Sequence, residues 1–164
     1  MSDQPSEADA YALVCYRMEG RWEVDVLPEA LTSDLRGLVD AVAAQPGEDG
    51  AFALVDVADE FFVVVRVQLG RVRVLLSDIT AAASWDLAAQ VLDLLGVDVP
   101  GDDDLDEVWP AGDLAVFDDI GLDAMELGAI LSDDDAYADE MLSALARRLG
   151  FADRFERVVD ALLG

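Results

Sequence analysis

Histidine and lysine are both absent from this 164-residue sequence, and cysteine occurs once, as Cys15. Without histidine there is no imidazole to act as a general base or proton shuttle near neutral pH. An ordinary zinc site built from His and Cys is excluded by the same count. A single thiol forms no intramolecular disulfide. Cationic charge is also scarce: ten arginines face 36 acidic residues, for a formal charge of −26. A nucleic-acid-binding surface needs a basic footprint to neutralise phosphates, so direct nucleic-acid binding is not expected. Long apolar runs are missing as well. Runs such as Phe61–Val65 and Val74–Leu76 are strand-sized and predict no membrane helix. The polar, acidic start, Met1–Asp9, has neither the basic nor the apolar part of a signal peptide. The composition therefore predicts a cytoplasmic protein with no membrane partner.

Apolar residues, by contrast, make up 54% of the chain. An acidic disordered chain would be poor in them, so a folded globular protein is expected. The use of arginine alone, with abundant alanine, reads as a GC-rich coding sequence, and part of the aspartate excess shares that explanation.

Residues 1–9 read as a disordered lead. Ala10–Met18 is rich in β-formers, and Arg21–Leu27 alternates Trp22, Val24 and Val26 against Arg21, Glu23 and Asp25. With Glu19-Gly20 between them, they predict a hairpin. Thr32 or Ser33 caps an expected helix to Ala44, with Leu35, Leu38, Val39 and Val42 at helical spacing. Pro46-Gly47 is expected to end it. Three strands follow at 51–58, 60–68 and 71–77, with turns at Asp59 and Gly70. A helix from Ser77-Asp78 runs to Leu95 and closes at Gly96. The first 96 residues thus read β-β-α-β-β-β-α.

Residues 97–112, with Pro100-Gly101 and the acids from Asp102 to Glu107, read as an acidic linker. Beyond it only helices are expected: one from Asp123 to Leu131, with Glu126 at capping-box spacing, one from Ala136 to Leu149, and one after Asp153. Arg147 and Arg148 complement the dipole of the middle helix, and Gly150 stops it. The expected fold is α+β: a largely antiparallel five-stranded sheet with two helices over 10–96, then a small all-helical C-terminal part over 113–164.

Several pieces of this chain occur in an order that resembles a known family. They are the strand-to-alanine run Arg71–Ser84, then Pro110-Ala111-Gly112-Asp113-Leu114, Asp119-Ile120-Gly121-Leu122, and Arg148-Leu149-Gly150-Phe151-Ala152-Asp153. Together they are similar to the actinobacterial tRNA adenosine deaminase-associated proteins over about residues 10–163. Ile79 and Thr80 interrupt the alanine run, and the acids around Asp102 are individual to this chain. The resemblance implies tRNA adenosine deaminase as a partner. It implies no activity, no cofactor and no catalytic residue. The deaminase chemistry itself needs a zinc held by His and Cys with a proton-shuttling Glu, and the ligands are not here.

The other constellations read as follows. Cys15, mid-strand between Val14 and Tyr16, is expected to be a buried structural thiol. Asp102, Asp104, Asp106 and Asp113 mimic the spacing of a calcium loop. Glu107 stands where that loop needs glycine and Pro110 intervenes, so a solvated acidic loop is the better reading and no metal is expected. Paired carboxylates carry little weight in so acidic a chain, and no phosphate loop or nucleophile elbow accompanies them.

Charge is unevenly distributed. Nineteen acids and no basic residue lie between Arg73 and Arg147, whereas Arg17, Arg21, Arg66, Arg71 and Arg73 cluster on the strands. Either those arginines pair across strands with Glu19, Glu23, Asp25, Asp56 and Asp59, or the molecule is polarised, with an acidic C-terminal face aimed at a cationic partner. In the second reading the contacts are Asp102, Asp103, Asp104, Asp106, Glu107, Asp133, Asp134 and Asp135. The overall expectation is a non-enzymatic accessory protein acting by protein–protein contact. A nucleic-acid mimic and a homo-oligomeric scaffold are the alternatives, and the sequence does not fix the oligomeric state.

Overall fold

The structure, a computed structural model, describes residues 10–45, 50–101, 109–133 and 135–163. The expected lead, the expected stop at Pro46-Gly47 and the acids from Asp102 to Glu107 lie outside those residues, as does Asp134.

The strands are β1 (Tyr11–Met18), β2 (Arg21–Val26), β3 (Ala51–Val57), β4 (Phe61–Gln68), β5 (Arg71–Leu76) and β6 (Ala111–Gly112). They form one antiparallel sheet in the order β2-β1-β3-β4-β5-β6. The two-residue turns Glu19-Gly20 and Leu69-Gly70 and the three-residue turn Ala58-Asp59-Glu60 connect neighbours, with Glu19, Gly20, Ala58, Asp59, Leu69 and Gly70 at their bends. All six of these residues have positive φ. In the two-residue turns that is the requirement of the type I′ turn, whose twist matches the flanking strands.

Among the described residues, five α-helices cover the sheet. On one face lie α1 (Leu35–Ala43) and α2 (Asp86–Leu95), over Ala12, Val14, Ala53, Val55, Val63 and Val65. On the other lie α3 (Ala124–Leu131), α4 (Ala138–Leu149) and α5 (Ala152–Leu163), over Leu13, Cys15, Phe52, Leu54, Phe62 and Val64. Alternate residues of the same strands thus feed two separate cores. Strand β3 is buried along its whole length, as is Phe61–Arg66 of β4. Cys15 is fully buried in the second core, and burial pushes its thiol pKa up. Among the described residues, no helix is long and apolar enough to cross a membrane.

Four expectations need correction. The sheet has six strands, not five, because Ala111 and Gly112 pair with Leu76 and Leu75. The part after residue 112 follows directly from that strand, and its helices close the second face of the sheet. A two-residue strand has no periodicity to read. Its signal is Gly112, where φ is +111° and a Cβ would collide with the Val74 carbonyl oxygen. Next, α1 is capped by Asp34, whose carboxylate accepts from Gly37 N–H at 3.0 Å. Thr32 lies instead in a 3₁₀ turn (Glu29–Ser33) and donates to the Glu29 carbonyl. The helix expected from Ser77-Asp78 is also broken. Asp78 caps a 3₁₀ turn (Ile79–Ala83), and α2 begins only after Trp85. The Ile79 N–H donates to the incoming Trp109 carbonyl at 2.8 Å, a contact no local pattern reports.

The fourth correction concerns the arginines. Arg66 and Arg73 sit directly opposite each other on β4 and β5. Like charges so placed repel. Both bind carboxylates from beyond the strands. Arg66 is fully buried, and its Nη1 and Nη2 donate to Asp119 at 2.6 and 2.9 Å. Nη1 also donates to the Val116 carbonyl at 2.6 Å. Arg73 donates from Nε to Asp113 and from Nη2 to the Ala115 carbonyl, each at 2.6 Å. The Arg66 guanidinium holds the Asp119 carboxyl below its usual range, against some desolvation. For Asp113, burial raises the pKa, but the hydrogen bonds from Arg73 and the Ala115 N–H, together with the Arg73 and Arg71 charges, outweigh it and the net shift is downward. Two acids of the arginine-free stretch therefore neutralise two sheet arginines.

Removing one partner should be asymmetric. Asp119→Ala leaves a buried guanidinium without its carboxylate and should destabilise by roughly 2–3 kcal/mol, less than for a wholly buried pair because Asp119 is partly exposed. Arg66→Met removes the buried charge and lets Asp119 turn to water, so it should cost less. Urea midpoints of the two variants test this, and a larger loss for Arg66→Met would refute it.

Candidate functional site

The described acids singled out in the sequence, Asp133 and Asp135, lie in the short turn between α3 and α4 and are exposed. Asp133 organises that turn. Its carboxylate accepts from the Asp135 N–H at 3.1 Å, and its carbonyl accepts from the Ala136 N–H at 3.1 Å. Asp102, Asp103, Asp104, Asp106, Glu107 and Asp134 fall outside the described residues.

Around Asp133 the helices enclose a groove of about 640 Å³. Its apolar lining includes Ala129 and Ile130 of α3 with Met141 and Ala144 of α4. The lining also carries Asp133, Asp139, Glu140 and Glu156, together with Arg147. A smaller cavity of about 190 Å³ adjoins it and adds Glu60 and Asp78 to the acids near Asp133. Two exposed apolar side chains stand nearby: Met125, one turn before Ala129 on α3, and Tyr137, which precedes α4. Asp139, Glu140 and Glu156 were not singled out in the sequence. A signal for Glu140 existed, because Ala136, Glu140, Ser143, Ala144 and Arg147 recur at helical spacing. Glu156 joins them only because α5 packs against α4.

The start of α4 is fixed from the sheet. Asp59, in the β3–β4 turn, accepts the Asp139 N–H on its carboxylate at 2.9 Å and the Ala138 N–H on its carbonyl at 3.4 Å. It thus satisfies two of the helix's orphan donors from a distant part of the chain. Asp56 lies beneath, almost wholly buried, and accepts from the Asp59 N–H at 2.9 Å. Tyr11 faces it across the β1–β3 pair. Burial pushes the Asp56 carboxyl up to about 7; the Asp59 N–H opposes this, and the Asp59 and Asp139 charges reinforce it. Asp59 is raised as well, chiefly by desolvation, despite the Asp139 N–H it accepts. The Tyr11 hydroxyl is raised by burial and by Asp56.

Chemically this is an acidic groove with a partly apolar lining. Among the described residues no three His, Cys, Asp or Glu side chains converge to hold a metal ion. The arrangement suits a cationic, partly apolar surface, which would bury the apolar side chains and meet the charges.

Comparison with known proteins places these elements in context. Residues 10–152 match the family described as Rv3753c-like tRNA adenosine deaminase-associated protein. The chain is 43% identical over 157 residues to Protein Rv3753c of Mycobacterium tuberculosis, covering 94% of this chain and 90% of that protein. No solved structure matches it significantly.

The buried carboxyl under α4 has a testable signature. Folded Asp56 binds its proton up to about pH 7, whereas the unfolded residue releases it near 3.9. Its contribution to stability is therefore full below about pH 4 and is lost as pH rises through about 7. Asp56→Asn keeps the acceptor for Asp59 N–H and removes the titration. The variant should be more stable than the parent at pH 8, by on the order of 2 kcal/mol, and should lose that advantage near pH 4. Thermal melts across this range check it; an advantage independent of pH would contradict the assignment.

Proposed function

Because the chain belongs to the tRNA adenosine deaminase-associated protein family, we propose that it is a non-enzymatic accessory protein of tRNA adenosine deaminase, acting by protein–protein contact. The contact surface is its acidic C-terminal face. One observation carries the reading: the groove between α3, α4 and α5 sets four carboxylates, Asp133, Asp139, Glu140 and Glu156, beside apolar side chains. Asp135 adds charge at the rim. Asp102, Asp103, Asp104, Asp106, Glu107 and Asp134 extend the acidity along the chain on either side.

An enzyme that binds tRNA needs a basic surface to neutralise phosphates. That surface is electrostatically complementary to this face. The field of a strongly acidic protein would accelerate encounter, and the apolar lining would then hold the docked complex. Occupying such a surface would compete with tRNA for it, which makes control of substrate access the simplest consequence.

Association with the deaminase of the same genome, titrated at about 50 mM and about 500 mM salt, tests the proposal. The complex should form at low salt and weaken steeply at high salt. Asp133→Arg with Glu140→Arg should slow association by about tenfold or more, with the circular dichroism spectrum unchanged. Absence of a complex at low salt would overturn the proposal. So would binding indifferent to both salt and charge reversal.

A further inference from the structure

Arginine is this chain's only cationic side chain, and four of the ten have identifiable work. Arg66 and Arg73 are locked to Asp119 and Asp113, Arg148 pairs with Glu126, and the Arg17 guanidinium stands 5.6 Å from the centre of the Trp22 ring. Four others converge. Arg21, Arg147, Arg154 and Arg157 all line one open cleft of about 600 Å³, where the start of β2 meets the α4–α5 junction. Only Arg154 has an ion pair, a long one of 3.7 Å to Glu23. Arg21, Arg147 and Arg157 pair with no carboxylate among the described residues. Asp153 is the one acid in the lining. In a chain with 36 carboxylates, three arginines left together without a counter-charge run against the general trend.

The cleft is built on a stiff floor. Trp22 is wedged between Phe52 and Phe151, with ring centres 5.7 and 4.9 Å away. Phe151 is buried and joins α4 to α5. Gly150, at a φ of +100°, turns the chain there, and a Cβ on it would lie 3.8 Å from Trp22 Nε1. Trp22 itself belongs to the lining of the cleft. Arg147 comes from the last turn of α4, while Arg154 and Arg157 lie one turn apart on α5. Guanidinium groups from three elements therefore face one cavity.

We propose that this cleft binds a small phosphorylated molecule, its phosphate held by Arg147, Arg154 and Arg157, with Arg21 and Trp22 also in the lining. Planar, multiply donating guanidinium groups match phosphate oxygens bidentately, and several of them fit a dianion better than a single carboxylate. The volume is in the range of small-ligand sites, roughly 300–1,000 Å³. A small anion in the cleft responds mainly to charges within about 8–10 Å, and the lining itself holds four arginines against Asp153. A long RNA would also meet the net charge of −26. The proposal is independent of the proposed association with the deaminase.

Tryptophan fluorescence and calorimetric titrations of the full chain test it, with inorganic pyrophosphate, ADP and a short single-stranded RNA as probes. Pyrophosphate or ADP should bind saturably at low salt. Arg147→Ala with Arg157→Ala should weaken that binding by about tenfold or more. Arg36→Ala, an exposed arginine elsewhere, should leave it unchanged. All these side chains are exposed, so unaltered thermal melts serve as the folding control. No saturable binding of either small anion overturns the proposal. Equal binding by the double variant does so too, as does RNA binding more tightly than ADP.

Discussion

Two arginines opposed across a strand pair are the constraint around which the second half of this protein is arranged. Arg66 and Arg73 point to the same face of adjacent central strands, and Arg66 is fully buried. A buried guanidinium is costly without a carboxylate and further acceptors. Asp113 and Asp119, with the carbonyls of Ala115 and Val116, supply both. The segment carrying them is thereby pinned against the sheet. Immediately before it, Ala111-Gly112 completes the sheet as β6; immediately after it, α3 begins. The position of α3, α4 and α5, and of both grooves they form, follows from this pairing.

The same pairing changes how the acidity is understood. A charge of −26 is one number, but the acids behind it do different things. Asp113 and Asp119 neutralise internal arginines. Asp34, Asp78 and Asp123 cap helical turns. Asp59 ties the sheet to α4, and Asp56 beneath it is held protonated up to near neutrality by burial. What remains around Asp133 faces outward beside an apolar lining. Six of the ten arginines are divided likewise: Arg66 and Arg73 are internal locks, and Arg21, Arg147, Arg154 and Arg157 line one cleft. The molecule therefore presents an acidic groove and a cationic cleft, which meet at Arg147.

Much of the fold was legible in the sequence, and most of the exceptions share a cause. The hairpin of β1 and β2, strands β3 to β5, the cap at Asp123 and the stops at Gly96 and Gly150 are local patterns, and they read correctly. The α1 cap is a local exception, because Asp34 accepts from the Gly37 N–H while Thr32 and Ser33 offer the same kind of oxygen just before it; the break before α2, strand β6 and the arginine partners depend on residues distant in the chain. The motif pieces Pro110–Leu114 and Asp119–Leu122 are too short to show strand or helix periodicity. They contain the glycine that permits β6 and the two acids that hold the arginines. Of the site, Asp133 and Asp135 stood out as a charge run. Asp139 and Glu156 did not, because their role exists only once α4 and α5 have docked. The cationic cleft was invisible for the same reason: Arg21 and Arg147 lie at opposite ends of the chain.

Native-state hydrogen exchange of Asp113→Asn/Asp119→Asn tests the central constraint most directly. If the two arginines anchor the second layer, the amides of β6 and of α3 to α5 will lose protection together, while the central strands β1, β3 and β4 keep theirs. Unchanged protection in that layer would contradict the account, as would a uniform loss across the whole molecule.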